Sequence, residues 1–158
     1  MALKGDRLEV VTDVSFFMNE TAERGGIAVL STAGSGAAMD QAAALVTYVV
    51  HTSGTVPVGM LMNDMVNVDQ SKYRINVYKD EVQQGSKVTL MQEGWGVTNM
   101  IYPGITPTAG AYAFLAPSGR ITTTAGPVDA TGYTGIVGRF LSLADEDGYA
   151  KVYVKLPR

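Results

Sequence analysis

The densest acidic cluster in the sequence lies at residues 145–147 and is followed by Gly148. An EF-hand calcium loop needs oxygen ligands at its positions 1, 3 and 5, glycine at position 6 and a bidentate glutamate at position 12. With Gly148 at position 6, positions 1 and 12 fall on Leu143 and Val154, so two essential ligands are missing. An Asp-Gly pair between alternating runs is instead a strong hairpin signal, because glycine accepts the positive φ of a tight turn. We therefore predict a structural turn at Asp147 and Gly148, and no metal site.

The other groups that could do chemistry are isolated. The only histidine, His51, ends an apolar run, whereas a serine nucleophile would normally need a histidine base held in place by further groups. Residues 34–39 (GSGAAM) lack the third glycine of a dinucleotide-binding fingerprint. Asp64 and Asp69 lie near amide side chains and could bind a cation, but a bend in the chain explains them better. We therefore predict no catalytic residue, no metal and no cofactor.

Length and charge narrow the class of protein further. At 158 residues the chain has room for one core, and its 12 basic and 15 acidic residues give a net charge of −3. It lacks the basic clusters of a nucleic-acid or anionic-membrane binder. No cysteine is present, which excludes disulfides and thiol nucleophiles. The longest apolar run, residues 42–50, is much shorter than the about 20 residues of a membrane-spanning helix, and charges in the first nine residues are unlike a signal peptide. We expect no nucleic-acid partner, no membrane partner and no export by a signal peptide.

Short β-favouring runs recur between turn signals, as in a β-barrel or a β-sandwich. We predict about ten short, mainly antiparallel strands, drawn from residues 7–14, 26–30, 45–50, 56–61, 75–78, 87–92, 95–101, 111–115, 120–124, 134–142 and 149–156. The alanine-rich residues 35–45 form either a short helix or a loop that leads into a strand. The predicted fold is all-β with at most one short helix. It consists of an N-terminal arm or first strand at residues 1–24 and a single β domain at residues 25–158.

Six apolar side chains are candidates for contacts with a partner or with another copy of the chain. They are Phe16, Phe17, Met18, Met60, Met62 and Trp95. The first three interrupt a polar segment, as an arm that docks on a neighbour would, although an ordinary first strand explains them as well. Methionine suits both adaptable contact surfaces and irregular cores. Tryptophan fills cores and is also enriched among the residues that dominate protein interfaces.

Two stretches in the last third of the sequence resemble the C-terminal half of tailed-phage head decoration proteins, also called capsid cement proteins. They are PGITPTAGAYAFLAPSGRITTT at residues 103–124 and TGIVGRFLSLADEDGYAKVYVKL at residues 134–156. The residues that match the family's turns and strands are Pro107, Ala109, Gly110, Ser118, Gly119, Gly138, Arg139, Phe140, Asp147 and Gly148. The resemblance covers about a third of the chain well. Ala111 departs from the pattern, since an acidic or polar residue is common there.

The resemblance implies a β-barrel or β-tulip protein that sits on the outer surface of an icosahedral phage head and catalyses no reaction. It implies the major capsid protein as partner, self-association as a homo-oligomer, most often a trimer, and synthesis in the cytoplasm of a host bacterium. Gly110, Gly119, Asp147 and Gly148 are then structural turn residues. A virion attachment or carbohydrate-binding β module is the alternative, and a row of exposed aromatic residues on one sheet face would favour it. A hydrolase that uses His51 is a third hypothesis.

Overall fold

The computed structural model describes residues 2–32, 44–48, 56–64, 68–69, 74–75, 81–125 and 135–156. Within these residues the all-β fold predicted from the sequence is confirmed. The strands are β1 (Leu3–Asp13), β2 (Phe17–Met18), β3 (Ala22–Glu23), β4 (Ile27–Thr32), β5 (Leu45–Thr47), β6 (Pro57–Asp64), β7 (Val68–Asp69), β8 (Arg74–Ile75), β9 (Glu81–Val82), β10 (Val88–Thr98), β11 (Tyr112–Leu115), β12 (Ile121–Thr122), β13 (Ile136–Phe140) and β14 (Ala150–Lys155). A 3-10 turn at Pro117–Gly119 is the only helical element among the described residues. Of the alanine-rich residues 35–45, predicted as a short helix or a loop, residues 35–43 lie outside the described residues, and Leu45 belongs to β5.

Ten strands form one open sheet in the order β12-β11-β13-β14-β10-β6-β4-β5-β2, with β1 paired to β10 in addition. Two short pairs, β3–β9 and β7–β8, are separate from this sheet. Every pair of these named strands is antiparallel except β2–β5, and an isolated bridge between Ile101 and Ile121 is also parallel. The sheet is therefore built mainly from antiparallel neighbours, as the short runs and frequent turn residues predict.

β10 holds the sheet together because both of its edges are used. On one edge, residues 90–98 pair with β1. On the other edge, residues 88–91 pair with β6 and residues 93–98 pair with β14. One strand therefore joins the β6–β4 half of the sheet to the β14–β13 half.

Two clusters of buried apolar side chains lie on opposite faces of β4 and β6. Met60 and Met62 point into the first cluster, whereas Leu61 between them points into the second. Ile27 and Ala28 on β4 divide in the same way. These two strands are buried on both faces, which explains why their sequences read as continuous apolar runs without the alternation of a half-exposed strand.

Two strands predicted at residues 87–92 and 95–101 are one continuous strand, so the predicted break between them is wrong. Gly94, next to Trp95, lies in the middle of this strand. A Cβ atom on Gly94, whose φ is +149°, would lie 2.2 Å from the carbonyl oxygen of Leu8. Glycine is present because β1 lies against the backbone of β10 at this point.

The N-terminal residues 3–13 are a strand of the main sheet. β1 pairs with β10 from Leu3 to Asp13, and Leu3 is buried in the first cluster. Residues 3–13 are therefore held in place by their own chain.

The hairpin between β13 and β14 contains the acidic cluster, and its turn is a three-residue loop. The N–H of Gly148 donates to the carbonyl of Asp145 over 3.0 Å, and the N–H of Asp145 donates to the carbonyl of Tyr149 over 2.8 Å. Gly148 has a φ of +81°, which is the left-handed conformation that closes such a loop. The Asp145 carboxylate accepts bonds from the backbone N–H groups of Asp147 and Tyr149 and pairs with Lys4 at 3.1 Å. Asp147 and Gly148 lie in this turn, and the carboxylate that organises it is that of Asp145.

Replacing Asp145 tests this turn. The backbone N–H of Tyr149, followed by Lys4, lowers the pKa of Asp145 below its ordinary value of 3.8, because both favour the ionised carboxylate. A lowered folded-state pKa gives stability that is present above the ordinary value and lost as the pH falls through the folded-state value. Asp145→Ala should lower the melting temperature at pH 7 more than Asp145→Asn, whose amide oxygen still accepts the two N–H bonds. Thermal unfolding followed by circular dichroism should show the gap between wild type and Asp145→Asn closing below pH 3.8, and a gap that stays constant to pH 2 would contradict this account.

Gly138 provides a second test, because β13 and β14 approach closely there. A Cβ atom on Gly138 would lie 1.8 Å from the carbonyl oxygen of Tyr153, whereas a Cβ atom on Gly5 would have nothing within 4 Å. Gly138→Ala should lower the free energy of unfolding by about 1–3 kcal/mol, as overpacking does, or prevent folding. Gly5→Ala is the matched control and should change it little. Urea denaturation of both variants checks the prediction, which fails if the two lose equal stability.

Candidate functional site

Three of the six predicted contact residues are not available on the surface. Met18, Met60 and Met62 are completely buried inside the chain. Met18 packs in the second cluster, and the other two pack in the first. The unbranched thioethers fill irregular space in the two cores, so the expectation of a methionine contact surface is corrected here.

Phe16 and Phe17 are half-buried at the β2 end of the sheet. Phe16 packs against the second cluster. Phe17 pairs with Leu45 on β5, and the ammonium group of Lys87 lies 5.8 Å from the centre of its ring. These two side chains are anchored by their own chain and keep only part of their surface for a partner.

Trp95, the sixth predicted contact residue, is half-buried on the outer face of the sheet and belongs to a row of large side chains that crosses five strands. In order from β1 to β11, the row is Leu8, Trp95, Tyr153, Arg139 and Tyr112, and each residue lies directly opposite the next. Leu8 is 52% exposed and Tyr112 is 54% exposed, so both ends of the row are open to solvent. We call this row, together with Lys151, the cation–aromatic face.

Two rings of the cation–aromatic face are each covered by a cation. The ammonium group of Lys151 lies 3.5 Å from the centre of the Trp95 ring, and the guanidinium group of Arg139 lies 4.9 Å from the centre of the Tyr112 ring. Tyr112 also makes an edge-to-face contact with Phe114, with 6.4 Å between ring centres. Each cation–ring pair is worth about 0.5–1 kcal/mol when exposed. The pairs hold long side chains flat against the sheet.

The charge on this face differs in sign from that of the whole chain. The cations on this face are Lys151 and Lys155 on β14 and Arg139 on β13. Glu93 on β10 lies directly opposite Lys155. The Tyr153 hydroxyl donates to the Glu93 carboxylate over 3.2 Å. Three cations and one carboxylate therefore lie together, although the chain has a net charge of −3. This arrangement favours contact with an acidic surface.

The predicted turn glycines all have positive φ angles, which are +89° at Gly110, +69° at Gly119 and +81° at Gly148. Gly110 and Gly148 have open space where a Cβ atom would be. A Cβ atom on Gly119 would instead lie 2.6 Å from the ring of Tyr48. Gly119 therefore provides a turn and makes room for an aromatic ring.

Tyr48 is a structural residue that the sequence does not reveal. Its ring lies between Gly26 and Gly119, and its hydroxyl accepts a bond from the N–H of Gly26 at 3.0 Å and donates to the carbonyl of Glu23 at 2.7 Å. Burial raises the pKa of the Tyr48 hydroxyl well above its ordinary value. The tyrosine lies in a β-favouring run, and nothing in that run indicates two glycines elsewhere in the chain. Tyr48 joins the β3–β4 turn to the β11–β12 connection.

Other kinds of site find no support in the part of the chain that the structure describes. There, no group of three or more acidic or histidine side chains is placed to hold a metal ion. No described helix is both long and apolar enough to span a membrane. His51 and the sequence GSGAAM lie outside the described residues, and so do the side chains of Asp64 and Asp69.

In a comparison with known proteins, no protein-family model and no curated protein matches the chain. The functional argument therefore depends on the residues and their geometry.

The single tryptophan makes the cation–aromatic face easy to monitor. Lys151→Met should lower the free energy of unfolding by about 0.5–1 kcal/mol, because the cation–ring contact is lost while apolar cover remains. Lys151→Ala should in addition increase quenching of Trp95 fluorescence by acrylamide, because it uncovers the ring. Lys155→Met, on the same strand and face, is the control and should change neither property. Equal effects at residues 151 and 155 would show that the stacking contributes nothing.

Proposed function

We propose that this protein is a structural virion protein that binds the outer surface of an icosahedral phage capsid and stabilises the expanded shell. The observation that carries the proposal is the position of the residues that resemble decoration proteins. Gly110 is at a left-handed turn just before β11, Gly119 and Gly148 are at left-handed turns between β11 and β14, and Gly138 is where β13 meets β14. Four of the ten residues that carry the resemblance thus fall at positions where the local geometry favours glycine, and this supports a shared architecture for residues 103–124 and 135–156.

We propose that the cation–aromatic face contacts the major capsid protein. Aromatic residues and arginine are enriched at protein interfaces, and this face presents both on a rigid sheet. Its side chains are already held by cation–ring contacts, so little rotamer freedom would be lost on binding. The cations suit an acidic patch on the shell.

Stabilisation of the shell follows from linkage. A protein that binds the expanded shell and not the compact one favours expansion by RT ln(1 + [L]/Kd) per site, about 2.7 kcal/mol when its free concentration is 100 times Kd. Repetition over many sites multiplies this effect. A trimer, the oligomer that the resemblance implies, would add binding strength by engaging several sites at once. The protein would then act on the virion exterior after synthesis in the host cytoplasm, with no catalytic step.

A carbohydrate-binding or attachment module is the second candidate, and one observation favours it. Trp95, Tyr153 and Tyr112 form a row of aromatic residues on one sheet face, which is the feature expected of such a module. However, cations cover one face of the Trp95 ring and one of the Tyr112 ring, where a sugar would stack. Capsid binding therefore ranks first.

The N-terminal segment cannot be tested cleanly by deletion. Removing residues 1–18 would remove β1 from β10 and Met18 from the second cluster. Charge reversal on the surface is the better experiment, because it leaves the cores intact.

The double variant Arg139→Glu and Lys151→Glu should bind undecorated, expanded phage heads at least about 10-fold more weakly than wild type, because it reverses two charges at a complementary contact. Lys87→Glu is the matched control, since it reverses a cation that also lies over an aromatic ring but at the β2 end of the sheet. Cosedimentation with heads and the temperature of head rupture measure occupancy and stabilisation. Full occupancy of the heads by the double variant would show that the cation–aromatic face does not contact the capsid. Failure of the wild type to bind heads, together with binding on a glycan array, would replace the proposal by the second candidate.

A further inference from the structure

β1 is paired along one edge, and no described strand pairs with its other edge. Among the described strands only β10 pairs with it, so the opposite edge of this 11-residue strand presents unpaired backbone groups. Such an edge is a template for another strand unless bulges or charges prevent pairing. The register of β1 shifts between Leu3 and Arg7, between Glu9 and Val11, and again before Thr12. Residues 7–9 are the regular part, and there Leu8 is 52% exposed.

Symmetry limits how two copies of β1 could pair. Opposed residues in an antiparallel pair have side chains on the same face, and side chains alternate along a strand. In a symmetric pair, one residue must therefore lie directly opposite its own copy, and the two-fold axis passes midway between the two. We call this residue the centre of the pair. Asp6, Arg7 or Glu9 at this position would each oppose a like charge, which is destabilising.

Leu8 at the two-fold position gives the opposite result. Each Arg7 then faces the Glu9 of the other copy, and the two Leu8 side chains meet. Arg7 and Glu9 are close enough within one chain to form an ion pair of 2.8 Å, so both are already on one side of the strand. With Leu8 as the centre, the pairing therefore gives both opposite-charge pairs and an apolar contact between the two copies.

Gly5 and Val10 are competing centres. A centre at Gly5 would place Lys4 opposite Asp6, but Lys4 already pairs with Asp145 at 3.1 Å and β1 is irregular between Leu3 and Arg7. A centre at Val10 would place Arg7 opposite Asp13. Val10 is, however, the extra residue of a bulge: Glu9 pairs with Gly94 and Val11 with Glu93, which leaves Val10 without a partner on β10. The Asp13 carboxylate already accepts the N–H of Ser15 at 2.7 Å. A bulge twists an edge away from flat pairing, so this register is disfavoured.

We propose that two copies of this chain associate through antiparallel pairing of their β1 strands around Leu8. The two main sheets then continue into one another across the two-fold axis. The two cation–aromatic faces also join end to end, because Leu8 terminates each row. The proposal concerns self-association in solution and does not depend on the proposed capsid function.

Disulfide trapping tests the centre directly, because the chain has no cysteine of its own. Directly opposed residues in an antiparallel pair have Cα atoms about 4.5–5.5 Å apart, within the range of a disulfide. Leu8→Cys should therefore form a covalent dimer under mild oxidation. In the same register two Val10 residues are offset by four positions, roughly 13 Å, which a disulfide does not span.

Val10→Cys is thus the matched control, and it is the more exposed position at 60%. Leu8→Cys should cross-link roughly ten times faster than Val10→Cys or more. Equal rates, or faster cross-linking at residue 10, would overturn the proposal.

A charge-exchange experiment tests the same pairing without cysteine. Arg7→Glu alone and Glu9→Arg alone should each abolish the association that sedimentation equilibrium detects for wild type, because each opposes like charges twice. An equimolar mixture of the two variants should restore it, since the new carboxylate at position 7 of one copy then faces the new guanidinium at position 9 of the other. The ion pair within each chain stays broken in the mixture, so recovery reports the contact between copies. Circular dichroism confirms that both variants fold, and a mixture that stays dissociated, or a wild type that never associates, overturns the proposal.

Discussion

The structure depends on two places where strands approach so closely that only glycine fits. Gly94 lets β10 lie against the carbonyl of Leu8, and Gly138 lets β13 lie against the carbonyl of Tyr153. Each approach fixes the register of the neighbouring residues. Leu8 is thereby opposite Trp95, and Tyr153 is opposite Arg139. Gly94 and Gly138 thus help to set which side chains lie opposite one another on the cation–aromatic face.

The fold class could be predicted because its signals are local. Strand runs, glycine turns and the Tyr-Lys alternation of β14 depend on neighbours along the chain, and the described strands of three or more residues lie close to predicted runs. Short strands such as β3, β7 and β9 were not predicted. The break between the runs that end at residue 92 and begin at residue 95 was predicted wrongly, because glycine is common at turns and also occurs inside strands where another backbone approaches closely. Only the position of β1 decides between the two cases. The structure of the acidic turn was predicted only in part, because an Asp-Gly pair does not reveal which carboxylate binds the backbone.

The candidate site was harder to predict because its members come from five strands that are distant in sequence. Lys151 and Tyr153 could be placed on one face of a strand, but their proximity to Trp95 depends on the pairing of β14 with β10. The methionines failed as predicted contacts for a related reason. Met60 and Met62 lie on a strand that is covered on both faces, and burial on both faces is a property of the whole sheet.

The sign of the charge on the cation–aromatic face has a consequence for how the molecule meets others. A chain with a net charge of −3 repels its own copies weakly in general, but orientation matters at distances within the Debye length of about 8 Å at physiological salt. There Arg139 and Lys151 present a local field opposite to that of the whole chain. An acidic partner would be attracted to this face and repelled from others, so the same charges that favour contact also select its orientation. Since the cations are held over aromatic rings, that selection requires little rearrangement of the surface.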